Sequence, residues 1–452
     1  MTDTIVAIAT APGRGGIGIV RVSGPNVPEV ARGLLGQLPP PRLAVRRAFR
    51  DARGEALDVG LALYFPGPAS YTGESVLELH GHGAPWALAA LVERAVALGA
   101  RPARPGEFSE RAFLNGKLDL AQAEALADLI SAGSAGAARA ALRSLEGAFS
   151  ARVDAILERL VALRMEVEAG IDFSDEALEL KAGTALESQA REIVAALESL
   201  AREAEQGRLL RDGVVVVLAG RPNAGKSSLM NRLAGHEAAI VTAIPGTTRD
   251  LLREHLTVNG LAVELVDTAG LAQSPELIEA EGIRRAHTAM SRADLILYLV
   301  DASDPAARQA LGGELRTLPQ VPVIVLYNKC DLLDDVQSRA AAREGTALTV
   351  PALLVSARTG AGLPEITEKL GAAAGYAPGV GGTFSARRRH LEALARTARH
   401  VESARRELGR SAAQELAAEE LRLAQECLGE VTGRFTSEDL LGRIFSEFCI
   451  GK

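Results

Sequence analysis

The sequence predicts a multidomain protein: an α+β module at the N-terminus, an α-helical domain split into two stretches, and a doubly wound α/β unit inserted between them. Three observations carry this. Residues 1–117 are rich in glycine and proline and hold short β-like runs. Residues 118–209 and 385–432 change to alanine, leucine, glutamate and arginine, with apolar residues at helical spacing. Residues 210–377 alternate strand and helix signals, the pattern of a parallel sheet covered by helices. At 452 residues the chain is too long for one core, as this division requires. The boundaries read as 1–117, 118–209, 210–377 and 378–452.

Within the first segment, Thr4–Ala9, Ile17–Val22 and Leu61–Tyr64 read as strands, and Gly13–Gly16 and Pro66–Pro68 as turn clusters. His80 and His82 flank one glycine in Val76–Gly83. They read as metal ligands or as ordinary histidines at a strand end, and the absence of a third ligand nearby favours the second. In the helical stretches, Val153, Ile156, Leu157, Leu160, Val161 and Val167 form one stripe. Ala417, Leu421, Ala424, Leu428 and Val431 form another, and Leu441, Ile444, Phe445 and Phe448 a third. The first two stripes are expected to pack on each other, since neither can remain exposed. In the insert, Leu252–Val258 and Leu261–Val266 flank Asn259-Gly260, a hairpin signal with a type I′ turn. Leu295–Val300, Val323–Tyr327 and Leu353–Val355 read as buried strands, and Ala377–Thr383 as the exit linker.

Composition bounds the function. Charged residues make up 24% and apolar residues 47%, as in ordinary globular domains. No apolar run reaches the length of about 18 residues that a membrane span needs, and no basic stretch leads into an apolar one at the start. Neither a span nor a signal peptide is expected. Cys330, Cys427 and Cys449 lie far apart without C-x-x-C spacing, which points to neither zinc nor disulfides and suits a reducing cytoplasm. A net charge of −7 excludes a generally basic surface for gripping a polyanion. Any nucleic-acid contact falls to a partner or to a local patch such as Arg387-Arg388-Arg389-His390, which reads equally well as a solvated helix start.

The chemistry concentrates in the insert. After the apolar run Val214–Ala219 comes Gly220-Arg221-Pro222-Asn223-Ala224-Gly225-Lys226-Ser227, with Ser228 following. This fits G-x-x-x-x-G-K-[ST] at every fixed position. Glycines let backbone N–H groups approach phosphate oxygens, Lys226 supplies an ammonium for the β and γ phosphates, and the Ser227 hydroxyl suits Mg²⁺. Downstream, Asp267-Thr268-Ala269-Gly270 closes a strand, where a carboxylate can hold Mg²⁺ through water. Asn328-Lys329-Cys330-Asp331 closes another: Asp331 suits N1–H and the exocyclic amine of guanine, donors that adenine does not present together. Ser356-Ala357-Arg358 supplies a backbone donor for the guanine O6. Gly246-Thr247-Thr248-Arg249-Asp250 occupies the place of a switch loop, where Thr248 can reach Mg²⁺. In this order the motifs resemble the Ras-like GTPases. Leu271 stands where those proteins carry a water-orienting glutamine, so hydrolysis needs another group.

Four stretches carry a closer resemblance: Arg14-Gly15-Gly16-Ile17-Gly18-Ile19, the run from Arg104 to Phe113, Gly246–Asp250, and Phe448-Cys449-Ile450-Gly451-Lys452 at the end. Together they resemble the MnmE (TrmE) family of tRNA uridine-modification GTPases over the whole chain. The resemblance implies an N-terminal folate-binding α+β domain, a discontinuous helical domain and an inserted Ras-like GTPase domain. It implies that GTP hydrolysis, with a flavin-dependent partner (MnmG), serves the addition of an aminomethyl or carboxymethylaminomethyl group at C5 of the wobble uridine of certain tRNAs. The implied one-carbon donor is 5-formyltetrahydrofolate or another tetrahydrofolate, contacted by Arg21, Glu78, Lys117 and Lys452. By charge alone, Arg21 and Glu78 read as a surface ion pair.

The resemblance also implies K⁺ in place of an arginine finger, with Asn223, Thr242, Ile244 and Thr247 as its residues in the P-loop and in the segment Thr242-Ala243-Ile244-Pro245-Gly246-Thr247-Thr248. It implies Glu279 as the catalytic carboxylate acting through water, although Glu276 and Glu281 stand close enough that spacing does not choose. Cys449 reads as a reactive thiol or as a small buried hydrophobe. A homodimer, joined with the partner into a heterotetramer, is the implied assembly. The competing reading is a regulatory Ras-like switch acting in ribosome or RNA assembly without one-carbon chemistry, which would need neither residues 1–117 nor the Phe448–Lys452 tail.

Overall fold

The computed structural model describes residues 3–172, 183–236, 253–258, 261–267, 287–334, 350–373, 375–376, 384–408, 414–435 and 438–446. It also describes positions 284, 337–338, 341, 343–344, 448 and 450–451. Contacts divide the chain into two compact units, one formed by Met1–Ala127, Leu145–Ile193 and Arg396–Lys452, the other by Asp128–Ser144 and Val194–Ala395. Among the described residues no helix is long and apolar enough to cross a membrane.

The first unit contains a six-stranded sheet of order β3-β4-β5-β2-β1-β6. Its strands are β1 (Thr4–Ile8), β2 (Gly15–Ser23), β3 (Val45–Arg50), β4 (Ala56–Phe65), β5 (Val76–Gly83) and β6 (Ala100–Pro102). The pairing is antiparallel except between β1 and β6. The two-residue period sets what each face carries. Val20, Val22, Leu77 and Leu79 point into a core closed by helices α1 (Val27–Leu35) and α2 (Pro85–Ala97). Arg21 and Glu78, which stand opposite each other in the β2–β5 register, fall on the other face. There Ile5 and Ala7 are covered by Phe108 of α3 (Glu107–Leu114).

The helices of this unit pack as amphipathic stripes. In α6 (Ala148–Asp172) the buried positions are Val153, Ile156, Leu157, Leu160, Leu163 and Val167, and α6 packs along α12 (Gln414–Thr432). Val161, placed in this stripe by the sequence, is only half-buried and Leu163 takes its position. The exact 3.6-residue period favours 160, 163 and 167 over 160, 161 and 167. In α12, Ala417, Leu421, Ala424, Leu428 and Val431 are all fully buried. Ile444 and Phe445 of α13 (Glu438–Ser446), with Phe448 beyond it, pack on Leu120 and Ala123 of α4 (Leu120–Ser131).

The second unit contains a six-stranded sheet of order β12-β11-β10-β7-β9-β8. Its members are β7 (Val214–Gly220), β8 (Arg253–Val258), β9 (Leu261–Asp267), β10 (Leu295–Asp301), β11 (Val323–Asn328) and β12 (Ala352–Leu354). All neighbours are parallel except β8 and β9. Val258 faces Leu261 in that antiparallel pair, which leaves a two-residue connection; the expected Asn259-Gly260 turn itself lies outside the described residues. Strands buried on both faces need near-continuous apolar runs, and β7 and β10 supply them. The unit also holds α8 (Lys226–His236), α9 (Pro305–Leu315), which Asp304 caps by accepting from the Ala306 N–H, and α10 (Leu363–Ala373).

The insert is pinned where it begins and ends. Asp128 of α4, a buried carboxylate, accepts from Arg211 Nε at 2.8 Å and from an Arg387 terminal nitrogen at 2.7 Å. Arg211 closes α7 (Gly183–Asp212) just before β7, and Arg387 precedes α11 (Arg388–Leu408). Ser144 of α5 (Ala135–Leu145) donates to the Ser385 carbonyl at 3.0 Å, and the Ser385 N–H donates to the Ala140 carbonyl at 3.1 Å. The expected linker Ala377–Thr383 lies outside the described residues.

Candidate functional site

The P-loop lies between the C-terminal end of β7 and the start of α8. Strand order reverses around β7, so its carboxyl end opens on the crevice where open α/β sheets take ligands. Gly225 has φ +95° and a Cβ there would run into the Asn328 side chain, so no other residue fits without displacing the loop. Asn223 also adopts a left-handed φ of +65° and is exposed, as are Ser227 and Ser228, whereas Ala224 is buried. Lys226 Nζ donates to the Gly220 and Arg221 carbonyls at 2.8 and 2.9 Å, which anchors the ammonium inside the curve of the loop. Burial pushes its pKa down, and Asp267 opposes this. Phosphate charge placed in the loop would favour the ammonium further.

Asp267 ends β9 beside β7 and is fully buried, and the Ser227 hydroxyl donates to its Oδ2 at 2.8 Å. A hydroxyl and a carboxylate held this close form the hard-oxygen donor set that Mg²⁺ takes alongside nucleotide phosphates. Thr268, Ala269 and Gly270, the switch segment Thr242–Thr248, and Glu279 lie outside the described residues.

The base-reading loops come from the next strands. Asn328, at the end of β11, spans the site: Nδ2 donates to the Ala224 carbonyl at 2.8 Å and Oδ1 accepts from the Ala357 N–H at 3.0 Å. One side chain thus ties the P-loop to the Ser356–Arg358 loop. Lys329, at φ +64°, pairs with Asp301 at 2.5 Å. Asp301 went unremarked in the sequence; its only signal is its place at the end of the neighbouring strand. The Asp331 carboxylate accepts from the Ser356 hydroxyl at 2.5 Å on one oxygen and from Arg358 at 2.6 Å on the other, and both hold its pKa below the usual carboxylate range. Cys330 is half-buried, and burial followed by Asp331 pushes its thiol up, away from the reactive thiolate.

The folate residues expected from the sequence sit in the first unit. Arg21 Nε donates to Glu78 at 2.9 Å, and His80 meets the other Glu78 oxygen at 3.0 Å. The Arg21 guanidinium lies 5.3 Å from the centre of the Tyr71 ring and 5.8 Å from that of Phe108. His82 pairs instead with Asp58, and among the described residues no group of His, Cys, Asp and Glu could hold a metal. Lys117 is exposed; Cys449 and Lys452 lie outside the described residues. Their neighbours are placed: Ile450 bridges to Pro105, and Gly451 packs so tightly on the Ile8 carbonyl that a Cβ would not fit. Ala7, next to Ile8, stands opposite Arg21 in the sheet, so the C-terminal tail reaches the strand beside the Arg21–Glu78 pair.

Beneath this lies a buried ionic cluster that sequence reading missed. Arg111 is fully buried and bonded to Asp3, Glu74 and Glu107 at 2.9, 3.0 and 3.1 Å. Glu107 is equally buried; burial pushes its pKa up but is outweighed by Arg101, the Arg104 N–H and Arg111, which hold it at about 2. In the basic cluster at 387–390, Arg387 pairs with Asp128 and His390 is buried, while Arg388, paired with Glu392 at 2.9 Å, stays exposed.

A phosphate loop, an adjacent buried aspartate and an Asn-x-x-Asp loop on parallel strands define a P-loop domain of the guanine-nucleotide-binding class. Comparison with known proteins specifies it further. Residues 4–117 match the family model described as GTP-binding protein TrmE N-terminus, and residues 120–449 match the MnmE helical domain. The chain is 55% identical over 452 residues to the tRNA modification GTPase MnmE of Alkalilimnicola ehrlichii, covering 99% of each. It is 54% identical to that of Methylococcus capsulatus, covering all of this chain and 99% of the relative. The G domain of the T. maritima FeoB iron transporter is 28% identical over 36% of this chain and 98% of that one, at a TM-score of 0.28 that adds nothing to the strand order itself. The chain belongs to the MnmE family of tRNA modification GTPases.

Proposed function

We infer that this chain hydrolyses GTP to drive modification of the wobble uridine of certain tRNAs at C5, adding an aminomethyl or carboxymethylaminomethyl group together with a flavin-dependent partner, MnmG. Its own residues divide the work. Asn328, Asp331 and the Ala357 N–H select guanine, Lys226 neutralises phosphate charge, and Ser227 with Asp267 would hold Mg²⁺, which supplies Lewis-acid stabilisation of the transferring phosphoryl group. Asn223, exposed at the lip of the P-loop, presents a side-chain oxygen of the kind K⁺ takes, with Thr242, Ile244 and Thr247 as the remaining candidates. Glu279 orients the attacking water. The domain plan is 1–117 for folate, 118–209 with 378–452 for the helical frame, and 210–377 for GTP, in a cytoplasmic homodimer.

The observation that carries the one-carbon half of this reading is the Arg21–Glu78 pair, partly buried beside two aromatic rings, with Gly451 packed at the neighbouring strand. A pterin presents donors and acceptors to such a pair, and its glutamyl tail presents charge to Lys117 and Lys452. Calorimetry with 5-formyltetrahydrofolate should give saturable heat that Arg21→Ala removes; no heat from the wild-type chain would withdraw the folate claim. The nucleosides of total tRNA from cells with and without this protein test the whole: loss of the C5-modified uridines is expected. Unchanged uridines would leave the regulatory-switch reading in its place.

A further inference from the structure

Away from the nucleotide loops, the α/β fold holds a pocket of about 270 Å³, open to solvent on one side and lined by Pro305, Arg308, Gln309, Gly312, Tyr327 and Glu344, among others. The first turns of α9 form one wall and the end of β11 another. Two guanidinium nitrogens of Arg308, Nε and Nη1, are buried and make no hydrogen bond among the described residues. The nearest charge, Glu344, lies 3.7 Å from Nε, beyond hydrogen-bond range, on a side chain 47% exposed. The Tyr327 ring is buried, and no hydrogen bond of its hydroxyl is found among the described residues. Burial pushes that hydroxyl's pKa up, with Glu344 adding to the shift and Arg308 opposing it, so the three groups surround one space.

Two buried guanidinium nitrogens that lack a hydrogen-bond acceptor, on a side chain 17% exposed and held only by a long ion pair, are costly, and the space is many times the ~30 Å³ that one water occupies in the liquid. Something carrying oxygen acceptors fits here better than an apolar group does. We propose that this cavity binds a small oxyanion, a carboxylate or an inorganic phosphate, between Arg308 and Tyr327. The guanidinium edge formed by Nε and Nη offers paired donors to two oxygens, the Tyr327 hydroxyl offers a third donor, and the positive end of α9 favours the charge. Glu344 is the site's own competitor, a loosely paired carboxylate that the ligand displaces. The site is separate from the P-loop and uses none of its residues.

The test uses the full-length chain saturated with a non-hydrolysable GTP analogue and Mg²⁺, so that both the β and γ phosphate positions of the P-loop are filled and cannot take the anion. Sodium acetate and sodium phosphate are titrated in separate calorimetric experiments against sodium chloride at matched ionic strength. One saturable site of roughly millimolar affinity is expected. Arg308→Ala should abolish it, Tyr327→Phe should weaken it about three- to tenfold, and Glu344→Gln should tighten it by about two- to fivefold. Heat with acetate alone assigns a carboxylate, and heat with phosphate alone assigns a phosphate. Silence with both overturns the proposal, as does wild-type affinity in Arg308→Ala. Should circular dichroism show that Arg308→Ala is misfolded, the other two variants decide: unchanged affinity in both overturns it equally.

Discussion

Asp331→Asn isolates base recognition from every other function of the nucleotide site. The aspartate has one oxygen on the Ser356 hydroxyl and the other within 2.6 Å of Arg358. Guanine reads that carboxylate with two donors, N1–H and the 2-amino group. Replacing one oxygen by an amide nitrogen turns an acceptor into a donor that faces a donor. The loss is about 1.5–3 kcal/mol for a hydrogen bond to a charged group, plus about 1 kcal/mol for the unpaired donor at a site that water reaches. At 1.4 kcal/mol per decade this is roughly 10²–10³-fold in GDP affinity. Xanthine carries a carbonyl where guanine carries the amine, so xanthosine diphosphate should gain affinity in the variant while GDP loses it. Titration of fluorescent GDP and xanthosine diphosphate analogues in Mg²⁺ buffer measures both. If GDP affinity is unchanged, or if both nucleotides lose equally with circular dichroism intact, Asp331 does not read the base.

The remaining predictions concern hydrolysis and acid stability. Glu279→Ala should slow phosphate release by about 10²–10⁴-fold while GTP affinity stays near that of the wild type; normal turnover would move the role to Glu276 or Glu281. GTP should be hydrolysed faster in K⁺ than in Na⁺ at matched ionic strength, and equal rates would remove the cation from the mechanism. Glu107, held at about 2 against an ordinary 4.5, contributes stability that is fully present above the unfolded value and lost as pH falls from about 4.5 towards 2. The span corresponds to about 3 kcal/mol. Urea unfolding of Glu107→Gln and wild type should therefore differ by that order at pH 7, by about half of it near pH 3, and converge only below about pH 2; a gap independent of pH would mean the glutamine is costly for another reason.

The parts of this fold that sequence reading recovered are those fixed by local chemistry. Strands β7 and β10 need only their own apolar runs, α12 only its repeat, and the P-loop only the residues that crowd phosphate. The parts it missed depend on partners brought together by the fold. Asp128 is just one acid in a helix until Arg211 and Arg387, 83 and 259 residues away, arrive at it. That distance also bears on Arg387-Arg388-Arg389-His390, which reads as a basic patch or as a helix start: Arg387 is drawn to Asp128 by a contact no window of sequence contains, while Arg388 opens α11 and stays exposed. Val161 against Leu163 is a milder case, in which a stripe with two consistent readings is decided by what packs on it.

The same reasoning makes sense of two stretches far apart in sequence, the run from Arg104 to Phe113 and the C-terminal tail. Pro105 pairs with Ile450, and Gly106, at φ +66°, abuts Phe445 and Phe448 so closely that a side chain there would displace α13. Arg111, from the same run and paired with Glu107, ties α3 to Asp3 just ahead of β1. The run therefore joins the buried ionic cluster on one side to the tail on the other, and Gly451 completes the contact at Ile8. A tail held this way is positioned by the sheet that carries Arg21: Gly451 rests on Ile8, and Ala7 beside it pairs with Arg21 across β1 and β2.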